Sequence, residues 1–131
     1  MTMTDPVADM IIRLKNANVV YKPYVDVPWS KFKENILRVL KEEQYIKDWE
    51  VIGEKNKKIM RVHLLYVGKK PAILKVKRES KPGRRLYISA EDLKKKKQDS
   101  GIAVLTTSKG VMSNRKAREL QIGGEILFYI W

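Results

Sequence analysis

The run Glu125 to Trp131 is apolar on both of its faces. Extended, it points Ile126, Phe128 and Ile130 one way and Leu127, Tyr129 and Trp131 the other. A strand of that kind is stable only when covered on both sides, so it belongs inside a folded core. Gly123-Gly124 ahead of it breaks the preceding element. The rest of the chain can supply such a core. Its 131 residues are 44% hydrophobic, ordinary for a globular protein and too apolar for wholesale disorder. The length suits one compact domain or two modules of roughly 60 residues.

The remaining periodicities predict the other elements. Asp5 is a good N-cap with Pro6 at the first helical position. Val7, Met10, Ile11 and Leu14 then recur at helical spacing, and Asn16 to Asn18 is the expected end. Tyr24 to Pro28 reads as a short strand. Ser30 caps a second helix with Phe32, Ile36, Val39 and Leu40 on one face, and Lys31, Lys33, Arg38 and Lys41 on or beside the other. Tyr45 to Ile52 and Ile59 to Val67 flank a polar turn and read as a hairpin, with Met60, Val62, Leu64 and Tyr66 sharing a face. Ala72 to Lys77 is expected as a third strand, Leu74 and Val76 inward. This αβαβββ order predicts an α+β module, two helices on a short sheet, over residues 1–79. The turn cluster Ser80-Lys81-Pro82-Gly83 marks the boundary. Residues 80–131 then form a mostly-β module: a strand from Arg84 to Ser89, a polar segment from Glu91 to Gln98 with the run Lys94 to Lys97, a strand from Ile102 to Thr107, a short basic helix from Ser113 to Leu120, and the final strand.

Charge narrows the function. Lys and Arg total 28 against 15 Asp and Glu, a formal +13. Such an excess repels itself and attracts a polyanion, with nucleic acid the first candidate. A membrane surface would call for a basic amphipathic helix with a large apolar face or a lipid anchor, and neither stands out. No apolar run approaches the ~20 residues of a bilayer span. The first residues carry no charged-then-apolar leader, so a secretory signal is not expected. The absence of cysteine removes disulfides, thiolate metal sites and cysteine nucleophiles, and fits a reducing cytoplasm. Enzyme signals are thin. The single histidine, His63, sits in a predicted strand with no second ligand or nucleophile to serve, so no catalytic residue, metal site or cofactor is expected.

Three clusters fit nucleic-acid binding. In Thr106-Thr107-Ser108-Lys109-Gly110 an apolar strand runs out into consecutive hydroxyls, each able to donate and accept. Lys109 adds a charge for phosphate and Gly110 allows a tight turn or close approach. A polar strand end with an ordinary cap is an equally good account of those five residues taken alone. The string lacks the spacing of a nucleotide phosphate loop. Ser80 to Tyr87 sets Lys81, Arg84 and Arg85 beside the ring of Tyr87. Arg115-Lys116-Ala117-Arg118 puts three charges on a short helix. Lys94 to Lys97 is discounted as a solvated run that adds only to the long-range field. Trp29, Trp49 and Trp131 are expected to pack rather than to stack on a ligand, and Glu125 is expected to bond neighbouring groups rather than to transfer protons.

Taken together the strings resemble a known family. Asp5-Pro6-Val7-Ala8-Asp9-Met10, Leu40-Lys41-Glu42-Glu43, Ser80-Lys81-Pro82-Gly83, Gly101-Ile102-Ala103-Val104, Thr107-Ser108-Lys109-Gly110-Val111-Met112 and Gly123-Gly124-Glu125-Ile126 are similar, in order, to bacterial small-subunit ribosomal protein eight. The resemblance implies a non-enzymatic, cytoplasmic protein of two α+β modules. It implies binding to an irregular helix in the central domain of 16S ribosomal RNA, support of platform assembly, and ribosomal protein five among the protein neighbours. Some members of that family also repress translation of their own operon by binding a similar fold in messenger RNA. By the same resemblance Thr106 to Gly110, Tyr87 and Glu125 form the main RNA site, and Asp5 and the Ser30-Lys31 turn make secondary contacts. Four positions depart from the family pattern. Thr106 replaces the usual serine, Arg84 stands where an apolar residue is common, and Ser113-Asn114 replaces Thr-Asp.

Overall fold

The computed structural model describes residues 5–95 and 101–131. Its helices and antiparallel sheets make an α+β fold in two compact units. One is Val7–Leu74; the other is Lys75–Trp131 with Asp5 and Pro6. The contacts divide between Leu74 and Lys75, whereas the turn cluster had suggested 79/80.

In the first unit α1 spans Pro6–Val19 and buries Val7, Met10, Ile11 and Leu14, the stripe read from spacing. It runs past the expected stop because Asn18 is no breaker here. Its side chain is fully buried, donating from Nδ2 to the Leu65 carbonyl at 3.2 Å and accepting the Ile73 N–H on Oδ1 at 2.9 Å. Strand β1 is Tyr24–Pro28. Helix α2, Lys31–Glu42, starts where Ser30 accepts the Lys33 N–H at 3.1 Å, an N-cap bond. Strands β2 (Ile46–Ile52) and β3 (Ile59–Leu64) form the expected hairpin, and β1 joins the other side of β3 to give the order β1-β3-β2. Met60, Val62 and Leu64 are buried.

Several inward assignments in this unit need correction. Lys33 is buried and Phe32 exposed, the reverse of the expected helix face, with Leu37 completing the buried stripe. Burial pulls the Lys33 pKa below its ordinary value, Asp9 opposing the shift. Tyr66 does not continue β3. It opens a two-stranded ribbon, β4 (Tyr66–Val67) with β5 (Lys70–Pro71). Leu74 is exposed while Ile73 is buried, and the strand expected at Ala72 to Lys77 is instead β6, Val76–Arg78. It hydrogen-bonds to the final strand, so it belongs to the second unit.

Trp29 and Trp49 pack as expected, and they share a partner. Both indole N–H groups donate to the Glu34 carboxylate, at 3.2 and 3.1 Å. The Trp49 bond, more than that from Trp29, holds the Glu34 pKa below the usual carboxylate range against an opposing desolvation.

The second unit is built around the last strand, β10 (Gly124–Ile130). It pairs antiparallel with β6, with β7 (Tyr87–Ile88) and with β8 (Ile102–Thr107), and β8 pairs with β9 (Gly110–Ser113). Ile126, Leu127, Phe128 and Ile130 are all buried, as a two-sided apolar strand demands. One face packs Leu105, Ile126, Ala103 and Met112 against Leu93 and Ala117. Those two come from α3 (Ala90–Lys95) and α4 (Asn114–Leu120), so the described residues of the unit hold two short helices rather than one. The lysine run enters α3 with Lys94 and Lys95; Lys96 and Lys97 lie outside the described residues. Asp5 joins this unit through a two-pronged ion pair, Arg78 Nε and Nη2 donating to its carboxylate at 3.0 and 3.1 Å.

Candidate nucleic-acid interface

Strand β9 went unread in the sequence, and it explains the hydroxyl run. Thr107 pairs with Gly110 across β8 and β9, so Ser108 and Lys109 are the two central residues of a hairpin turn. Gly110 has φ 108°, and a β-carbon there would touch nothing within 4 Å. Its backbone conformation, not space, calls for glycine. The Thr107 hydroxyl holds the turn from inside, donating to the Gly110 carbonyl at 2.8 Å and accepting the Lys109 N–H at 3.1 Å. Its oxygen also lies 3.9 Å from the Met112 sulfur. Consecutive strand residues face opposite ways, so Thr106 and Thr107 do not form one donor surface. Ser108 and Lys109 are exposed at the tip.

Thr106 faces the other side, and the sheet register gives it neighbours. Glu125 on β10 stands opposite Thr106 on one side and opposite Tyr87 on the other. Directly paired residues share a face, so Tyr87, Glu125 and Thr106 form a row across three strands. The Glu125 side chain is only 12% exposed and accepts from Arg85 Nη1 at 3.0 Å. That bond, with the carboxylate's charge, keeps the Arg85 pKa above its ordinary value. Tyr87 is 72% exposed. Glu125 thus acts as the orienting group expected from sequence, holding an arginine beside an open aromatic ring and a hydroxyl.

A second turn flanks the row. Lys81 and Arg84 exchange both backbone hydrogen bonds, at 2.8 and 2.9 Å. Pro82 and Gly83 occupy the middle, Gly83 with the φ of 87° that the third residue of a type II turn requires. Ser80 anchors this turn. It is fully buried, and its hydroxyl accepts the Leu86 N–H at 2.9 Å while its own N–H bonds the Ile126 carbonyl. The exposed side chains of Lys81, Arg84 and Arg85 are therefore carried on a rigid loop clipped to β10. Arg115 is exposed on α4, whose N-cap Ser113 is buried and accepts the Lys116 N–H at 3.2 Å. Asn114 turns inward, Oδ1 accepting the Ala103 N–H.

Three sequence candidates are not members of the row. Ser30 and Lys31 belong to the Val7–Leu74 unit, where Ser30 uses its oxygen as the α2 cap and Lys31 is exposed. Asp5 has its carboxylate engaged by Arg78. Sequence reasoning missed two positions on which the row depends. Ser80 was read only as part of a turn. Gly124 was read as a helix breaker, yet a β-carbon on it would sit 2.5 Å from the Thr106 carbonyl oxygen and 2.8 Å from Thr107 Cγ2. The Gly-Gly pair was the available signal. Among the described residues no group of three His, Cys, Asp or Glu is placed to hold a metal, and no helix is long and apolar enough to cross a membrane.

Comparison with known proteins shows the family. The family model described as ribosomal protein S8 matches residues 5–131. The chain is 53% identical over its full length to the small ribosomal subunit protein uS8 of Dictyoglomus turgidum, covering all of that protein too. It is 47% identical to that of Pseudothermotoga lettingae over 98% of each chain, and 43% identical to that of Geobacter sulfurreducens over the whole of both. With a family model spanning nearly every residue and relatives matched end to end, the chain belongs to the ribosomal protein S8 family.

Proposed function

We propose that this chain is a structural, non-enzymatic constituent of the small ribosomal subunit, working in the cytoplasm, and a binder of the central domain of 16S ribosomal RNA. The observation that carries the reading is the row Tyr87, Glu125 and Thr106 beside the exposed Ser108-Lys109 tip. It sets a ring, a hydroxyl and a guanidinium side by side on a rigid sheet, with Lys81, Arg84 and Lys109 around them for phosphate. Side chains cannot enter the deep groove of regular A-form RNA, so such a surface suits a helix distorted enough to offer base edges and 2′-hydroxyls. Arg115 and the Ser30-Lys31 turn supply peripheral contacts, while Asp5 contributes by fixing Arg78. A messenger RNA with the same fold would meet the same surface, the basis for repression of its own operon. Ribosomal protein five is the neighbour proposed on the protein side.

A filter-binding titration with a central-domain transcript tests this. Ser108→Ala is expected to weaken binding by roughly 1–3 kcal/mol, because a desolvated RNA group loses its partner. Lys109→Ala is expected to lower the salt slope of binding by about one unit, the signature of one lost phosphate contact. Wild-type affinity for Ser108→Ala, or no preference of the unaltered chain for the transcript over unstructured RNA, would overturn the proposal.

A further inference from the structure

We propose that Tyr21 and Tyr66, with Lys22, Lys69 and Lys70, form a second RNA-contact surface, on the Val7–Leu74 unit, where an unpaired base stacks on the open face of Tyr21. The inference rests on the RNA-binding reading above and adds a site with different chemistry. It begins at the end of α1, where Tyr21 donates to the Asn18 carbonyl and Lys22 to the Ala17 carbonyl, at 3.1 and 3.0 Å. These bonds close the helix with Tyr21 in the left-handed region, at φ 61°. Helices usually give that place to glycine or asparagine, because a β-carbon crowds the following carbonyl. Here it holds a bulky aromatic that is 59% exposed.

The ring is positioned rather than loose. It stacks on Tyr66, centroids 5.5 Å apart and planes 14° from parallel. Tyr66 is itself fixed, by the β4–β5 ribbon and by its hydroxyl, which donates to the Lys22 carbonyl. One face of Tyr21 is thus covered by a ring, while the residue as a whole stays 59% exposed. Stacked rings that served only packing would gain most from being buried.

The surrounding charge selects the partner. Lys22 follows Tyr21, and Lys69 and Lys70 lie on the ribbon that Tyr66 opens; all three are exposed. No Asp or Glu occurs between Asn16 and Val25 or between Leu65 and Leu74. None of the ion pairs among the described residues uses these lysines. Lysine is depleted at the centres of protein–protein interfaces, whereas an aromatic platform rimmed by unopposed lysines is how single-stranded nucleic acid is gripped.

The test uses the full chain and a dye-labelled hexa-adenylate in fluorescence anisotropy. Tyr21→Asn and Tyr21→Gly remove the ring with residues that suit the backbone, and melting curves check that both fold. Each is expected to weaken hexa-adenylate binding roughly 5- to 100-fold. Replacing Lys69 and Lys70 together by alanine is expected to flatten log K against log salt by about 1.4, from two phosphates at about 0.7 each. Val51→Thr, at an exposed position on β2 outside both proposed surfaces, serves as the control and leaves hexa-adenylate binding unchanged. If the Tyr21 variants alter only the melting curve and bind the oligonucleotide like wild type, the rings are structural and the proposal is overturned. Absence of hexa-adenylate binding in the wild type overturns it as well, and points to a protein as the occupant. The central-domain transcript, titrated separately, reports on the primary reading, so failure of one is distinguishable from failure of the other.

Discussion

Alanine in place of Gly124 is expected to destabilise the chain by about 3 kcal/mol and to reduce RNA affinity more than loss of the Ser108 hydroxyl does. The added methyl meets the Thr106 carbonyl oxygen at 2.5 Å and the Thr107 methyl at 2.8 Å. The first obstacle is backbone within a paired strand, so no side-chain rotation relieves it. Overpacking of this kind typically costs 1–3 kcal/mol, and a backbone obstacle belongs at the upper end of that range. The only relief is to separate the start of β10 from the end of β8. That movement breaks the alignment of Glu125 with Thr106 and disturbs the Thr107 hydroxyl that latches the turn. Thermal unfolding and the transcript titration measure the two effects. A variant melting within about 2 °C of wild type, with unchanged affinity, would show that the close approach is not needed.

The second large effect is expected at Asn18. Its side chain bridges the two ends of the segment that carries the β4–β5 ribbon, bonding the Leu65 carbonyl and the Ile73 N–H. The Leu65 carbonyl keeps a second donor, Ala72 N–H, when Asn18 is lost. The Ile73 N–H has no such reserve among the described residues, and Ile73 is fully buried. Leaving a buried donor unpaired costs roughly 1–3 kcal/mol, and the other bond adds about 1. Asn18→Ala is therefore expected to lower stability by about 2–4 kcal/mol, a fall on the order of 10 °C or more for a unit of this size. Hydrogen exchange is a sharper test, since the Ile73 amide should lose its protection ahead of β3. Retained protection there would mean that another acceptor takes the amide over.

What was legible in the sequence follows the range of the interactions. Tyr24–Pro28 and Ile102–Thr107 have the bounds that alternation and their flanking residues suggested, and α2 starts at its Ser30 cap, because those signals are local. Lys33 was placed wrongly because neighbouring helix positions differ by about 100°, and preferring Phe32 over Leu37 turned the stripe. The β3 run stopped at Leu64 rather than Val67 because the Leu65 carbonyl bonds a helix side chain 47 residues away, which no local pattern encodes. Strand β9 is four residues long, too short for alternation to register. At the candidate site the residue types were readable, but their alignment was not. Thr106, Glu125 and Tyr87 come from three separate stretches, and only the register of β10 with β7 and β8 places them in a row. Resemblance to the family named those residues together; residue chemistry alone did not.

The position of β10 in the chain also bears on how that row is formed. Strands β6, β7 and β8 all hydrogen-bond to a partner that follows them in sequence. Among the described strands, the pairing of β8 with β9 is the one in this sheet that does not involve β10. Tyr87 and Thr106 are aligned only through Glu125, so the row depends on a strand that is made after both of its neighbours.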